Sequence, residues 1–166
     1  MAKGNESTTK FKADISELKS AFQEAQRQVR LANSEFKAAT AGMDKWSDSA
    51  DGISAKLSQL NKVLDGENKK LKSLENQYAL VAKEQGENSK GAQELAIKIN
   101  NQKSVKGEKT KYKLAHSMKE CMLTTSVENI TVKQIVENCG LTRQTFYRNF
   151  LDKYDLINWY FDKLLL

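Results

Sequence analysis

The chain of 166 residues contains no proline, where average usage near 5% would place roughly eight. Proline punctuates turns and edge strands and is excluded from helix interiors, so its absence points to helix. Glycine is also scarce, at 8, and there are only 2 cysteines, which excludes collagen-like, Pro/Gly-rich and disulfide-scaffold chains. No apolar run approaches the ~18 residues of a membrane span, and the opening MAKGNESTTK lacks the apolar stretch of a secretory signal. The expectation is a soluble, cytoplasmic chain with no membrane partner.

The same scarcity limits chemistry. His116 is the single histidine and stands in no ligand spacing with Cys121 and Cys139, so no metal site is expected. One histidine without a supporting motif makes catalytic triads improbable, and no phosphate loop or dinucleotide glycine pattern occurs. Catalytic residues, cofactors and metals are therefore all expected to be absent. Both cysteines read as small buried hydrophobes.

What the sequence does contain is charge and helical periodicity. The 27 basic and 21 acidic residues leave a net charge of +6, mild support for an anionic partner. Apolar residues recur at alternating steps of four and three through Phe11, Ile15, Leu18, Phe22, Ala25, Val29, Ala32 and Phe36, the pattern of a coiled-coil seam. After a glycine-containing connection around Trp46, a second seam runs Ile53, Leu57, Leu60, Leu64, Leu71, Leu74, Tyr78 and Val81, with the polar Glu67 in its one missed position. A weaker third seam, Ala92, Leu95 and Ile99, follows Gln85 to Gly91. Such seams need partner helices, supplied within one chain or by self-association into a homo-oligomer, and heptads alone leave both open.

The phrases KADISELKSAF, FKAATAGMDKW, LSQLNKVLDGENKKLKSLENQY and EQGENSKGAQELAIKINNQ resemble the N-terminal region of phage tail tape measure proteins from about Thr9 to Gln102. That resemblance implies a helical rod that sets tail length, with phage tail proteins as partners.

Around KSVKGEKTKYK the heptads give way to a basic, glycine-containing stretch, and the chain divides into a helical coiled-coil region 1–104, a linker 105–111 and a further module 112–166. A helix is expected from about Tyr112 to Thr124, with Leu114, Ala115, Met118, Cys121 and Met122 on one face. In SVENITVKQIVENCGLTRQTFYRNF, Thr131 suits the N-cap of a short helix whose Val132, Ile135, Val136 and Cys139 point inward. Gly140 stands where that helix must stop and turn. Thr142 can cap a second helix over Arg143 to Phe150, with Phe146 and Phe150 as its inner face. This is a helix-turn-helix pattern. It leaves Thr142, Arg143, Gln144, Thr145, Tyr147 and Arg148 toward solvent or a groove, where their donors and planar groups suit phosphates and base edges. Tyr147 also fits a rim aromatic, and Arg148 and Lys153 fit plain solvated charges. Trp159, Tyr160 and Phe161 are expected in the core.

ITVKQIVENCGLTRQTFYRNF followed by DKYDLI resembles the N-terminal DNA-binding domain of the TetR family of transcriptional regulators, from about Lys109 through Phe161. The resemblance implies Thr131 as N-cap of the second helix, Gly140 as the turn, and Thr142, Arg143, Gln144, Thr145 and Tyr147 as the contact surface. Lys153, opening the fourth helix, would bind phosphate. Asn149 departs from the histidine frequent in the family.

The fold expected is thus all-α: long coiled-coil-like helices followed by a small three- to four-helix DNA-binding domain. The DNA-facing set is Thr131, Thr142, Arg143, Gln144, Thr145, Tyr147, Arg148 and Lys153. Sequence-specific binding of double-stranded DNA by a transcriptional regulator is the first expectation. The alternative is a truncated tape-measure-like structural protein carrying an idle or fused DNA-binding module.

Overall fold

A computed structural model describes residues 2–164, with side chains from residue 6 onward. Met1, Leu165 and Leu166, which the expected ranges 1–104 and 112–166 include, lie outside the described residues. Regular structure among the described residues is entirely helical: α1 (Ala2–Ala39), α2 (Ala50–Gln85), α3 (Lys90–Cys121), α4 (Val132–Asn138), α5 (Arg143–Tyr147) and α6 (Lys153–Leu164), with 3-10 turns at Trp46–Asp48 and Val127–Asn129. No helix of the described residues is long and apolar enough to cross a membrane.

The chain divides into two compact units. In the first, residues up to Leu31 and Leu64–Lys106, the expected seams turn inward. Ala25, Leu64, Leu74, Val81, Ala92 and Ile99 are buried, and Phe11, Ile15, Leu18, Phe22 and Val29 are half-buried. The helices approach closely where side chains are small. A Cβ on Gly66 would run into the Val29 side chain and come within 3.3 Å of the Ala25 carbonyl, and Ser73 Oγ donates to the Leu18 carbonyl across 2.6 Å.

Glu67, the polar break in the second seam, is 3% exposed. Its carboxylate accepts from the Gln102 amide and pairs with the Lys70 ammonium at 2.9 Å. Lys70 in turn lies 5.6 Å from the Phe22 ring. A buried carboxylate needs such partners, because the desolvation penalty otherwise amounts to several kcal/mol.

The second unit joins Ala32–Val63 to Gly107–Leu166. Its core gathers Leu57 of α2, Leu114, Ala115 and Met118 of α3, Ile130, Ile135, Val136 and Cys139 around α4, Phe146 and Phe150 around α5, and Leu156 of α6. The expected inward faces of α4 and α5 are those observed. Phe146 is 0% exposed, and full burial of such a ring is worth about 2–3 kcal/mol. Phe161, expected in the core, is instead 57% exposed, while Trp159 and Tyr160 pack against the core as half-buried rings. Three consecutive positions of a helix span 200° and cannot all face one core.

Two boundaries also differ from expectation. Residues 105–111, read as a linker, are interior helix of α3, and the compact units do not follow the cut between 104 and 112, since Ala32–Val63 groups with the C-terminal residues. Lysine and glutamate are good helix formers, and the ~1 kcal/mol penalty of one glycine is too small to break a helix whose next turn buries Thr110, Lys113 and Leu114. α3 stops at Cys121 rather than Thr124, so Met122 falls beyond the helix and is 45% exposed.

Candidate nucleic-acid interface

The connection from α4 to α5 is built from backbone geometry. Gly140 has φ +65°, a conformation in which a Cβ would be strained. The Gly140 amide donates to the Glu137 carbonyl (3.2 Å) and the Leu141 amide to the Val136 carbonyl (2.8 Å). These paired bonds form a Schellman motif, and Leu141 beside Val136 supplies the apolar contact that accompanies it.

Both helices are capped by threonine. Thr131 Oγ1 accepts from the Gln134 amide at 3.2 Å, and Gln134 Oε1 accepts from the Thr131 amide at 2.8 Å, a complete capping box. Thr142 Oγ1 accepts from the Thr145 amide at 3.1 Å and lies 2.9 Å from Thr145 Oγ1. Asn149 Nδ2 donates to the Thr145 carbonyl at 2.7 Å. Thr131, Thr142 and Thr145, all expected on the DNA-facing surface, thus spend their hydroxyls within the motif.

Arg143, Gln144 and Arg148 are exposed, and among the described residues no side-chain hydrogen bond or ion pair engages them. Tyr147 is 54% exposed and stands edge-on to the buried Phe146, ring centroids 5.4 Å apart. The structure brings Thr142–Arg148 together on one short segment.

Lys153 lies elsewhere and is differently engaged. Its ammonium donates to the carbonyls of Val127 (2.8 Å), Glu128 (2.7 Å) and Ile130 (2.9 Å), which occupies all three of its donors. The start of α6 is capped by two carboxylates: Asp152 Oδ1 accepts from the amides of Tyr154 and Asp155 (2.8 and 2.9 Å), and Asp155 Oδ2 accepts from the Leu151 amide (2.9 Å).

Several supporting groups carry no signal that sequence reading could use. Ser117 on α3, fully buried, donates to the Ile135 carbonyl at 2.6 Å and accepts from Asn138 Nδ2 at 3.1 Å, tying α4 to a residue about twenty positions away.

His116, also on α3, meets the Trp46 ring at a tilt (6.1 Å) and the Tyr160 ring edge-on (5.6 Å), and its Nδ1 has no hydrogen-bond partner among the described residues. Burial first, then the positive charges of Lys56 and Lys119, lower its pKa to about 4. The Lys56 ammonium sits 4.7 Å from the Phe36 ring; burial, followed by Lys109, depresses its pKa too. Burial raises the pKa of both thiols, Cys121 and Cys139. That shift favours the protonated thiol over the nucleophilic thiolate.

No protein-family model, curated protein or solved structure matches this chain.

Proposed function

We propose that this chain binds double-stranded DNA sequence-specifically through a TetR-type helix-turn-helix formed by α4 and α5, and acts as a transcriptional regulator. The observation that carries the reading is the division of labour among the polar side chains of that segment. Thr131, Gln134, Thr142, Thr145 and Asn149 are committed to internal hydrogen bonds, whereas Arg143, Gln144 and Arg148 project unpartnered. In this reading Arg143 and Gln144, at the start of the second helix, read base edges. Arg pairs with guanine O6/N7 and Gln with adenine N6/N7, each worth about 1–3 kcal/mol of discrimination. Arg148 and the Tyr147 hydroxyl contact phosphates.

A single such motif reads one half-site, and pairs of them bind half-sites about 34 Å apart. Two copies of the chain would then be needed. Many apolar seam residues of α1 to α3 are already buried within each unit, so a homo-oligomer would use other surface of these helices.

Selection of bound duplexes from a randomised pool by the full chain tests the reading. The expected result is an enriched motif whose preference relaxes at one position in Arg143→Ala and at a neighbouring one in Gln144→Ala. Enrichment of no motif contradicts it. The second reading, a tape-measure-like structural protein with an idle DNA-binding module, is favoured by the length of α1, α2 and α3, of 38, 36 and 32 residues. Recovery of the chain inside assembled phage tails would support that alternative.

A further inference from the structure

From the geometry at the start of α6 we infer that Lys153 is a positioning residue, which clamps the backbone entering α4 and thereby sets how α5 is presented, rather than a phosphate contact. The inference rests on the DNA-binding reading for its functional consequence and on hydrogen-bond geometry for its mechanism.

An ammonium has three N–H donors. In Lys153 all three are directed at carbonyls of one short backbone stretch, Val127, Glu128 and Ile130, at 2.7–2.9 Å. Those are the distances of charge-assisted bonds, roughly twice as strong as neutral ones. To reach a phosphate oxygen, the side chain would have to leave three such partners, of which, among the described residues, Val127 alone keeps a second donor, the Ile130 amide at 3.3 Å.

The stretch it holds is the one that matters for the motif. Ile130, whose side chain is 2% exposed, immediately precedes Thr131, the N-cap of α4. The capping box fixes the amide side of this junction and Lys153 fixes its carbonyl side. The two bonds at Gly140 fix the turn that leaves α4 toward α5, and Phe146 of α5 shares one core with Ile135 and Val136 of α4. The chain of constraints therefore runs from α6 through Lys153 to the entry of α4, and from there to Arg143 and Gln144. Sequence position alone cannot disclose this, because the three acceptors are backbone groups 23 to 26 residues away.

The test is Lys153→Met, which keeps most of the aliphatic stem and removes the donors. It is assayed in the full chain well below its melting temperature, with the selected duplex and a scrambled one across a salt series. The clamp predicts that the ratio of specific to non-specific affinity falls about tenfold or more while the salt slope stays at the wild-type value. It also predicts that amide exchange accelerates at residues 130–135 and not in α2.

A phosphate contact predicts the reverse: a slope shallower by about 0.9, an unchanged specificity ratio and unchanged exchange. That result overturns the inference, and so does a melting temperature that falls with ratio and local exchange both unaltered. Should Lys153→Met fail to fold, Lys153→Arg decides the matter by the same readouts. Its planar fork retains the charge and suits a phosphate but cannot serve three converging carbonyls, so a wild-type ratio and exchange pattern overturn the clamp. If the wild-type chain binds no duplex, the functional reading fails while the local exchange of either variant still decides whether the clamp exists.

Discussion

His116 is the residue whose surroundings make the plainest prediction. The Trp46 and Tyr160 rings flank it, and Lys56 and Lys119 oppose its charge, so the folded state favours the neutral imidazole with a pKa of about 4, against about 6.5 when unfolded. The unfolded chain therefore binds more protons between these values, and stability rises with pH across the window. The contribution is complete above pH ~6.5 and is lost as pH falls toward 4, by up to about 3 kcal/mol. Denaturant titrations from pH 4 to 7.5 should show this dependence, and His116→Phe should flatten it; an equal slope in both proteins rules it out. Gly140 makes a second prediction at this scale. With φ at +65°, Gly140→Ala should lower stability by about 1–2 kcal/mol, read as a lower denaturant midpoint. Gly140 could be identified from the sequence because only a turn explains a glycine between two apolar-patterned helices. His116 could not, since the aromatic rings around it come from segments 70 and 44 residues away in the chain.

Among the elements, α2 carries the most informative packing. The heptad pattern identified its apolar seam and marked Glu67 as the exception, but only the three-dimensional arrangement discloses that Glu67 is buried with Gln102 and Lys70. Periodicity reports which face a residue occupies and is silent on which distant partner meets it. Removing one member of a buried polar group leaves the rest uncompensated, whereas removing the group can be neutral or stabilising. Gln102→Leu should therefore destabilise by about 1–3 kcal/mol. A Glu67→Leu, Gln102→Leu double variant should recover most of that loss, with Lys70 free to turn to solvent from its half-buried site. Urea unfolding of the four proteins of this cycle measures the coupling, and additive losses would refute it. The short helices α4 and α5 were the more legible elements, since threonine caps, an inward apolar face and one glycine fix their limits. The long helix α3 was the least legible, because a basic, glycine-containing stretch reads as a linker unless the burial of its neighbours is known.

At the scale of the whole molecule, the sequence suggests two modules in series, and the compact units cross that division. Ala32–Val63 groups with Gly107–Leu166: Leu57 enters the core around α4 and α5, and Trp46 covers His116. Composition and family-like phrasing follow the chain linearly, whereas burial does not. A fragment of residues 105–166 would uncover His116 and leave its core without Leu57. It should lack the dispersed amide spectrum and cooperative melting of the full chain; a sharp, native-like transition in the fragment contradicts the shared core. DNA binding is accordingly a property to measure on the full chain. The most direct test of the central claim is its affinity for a selected duplex between about 50 and 200 mM salt. The account predicts a linear fall of log K with log [salt], about 0.9 for each phosphate neutralised, with Arg148→Ala reducing the slope and Arg143→Ala narrowing, by about 1–3 kcal/mol, the preference over a scrambled duplex. Affinity that is absent, or indifferent to salt, would contradict it.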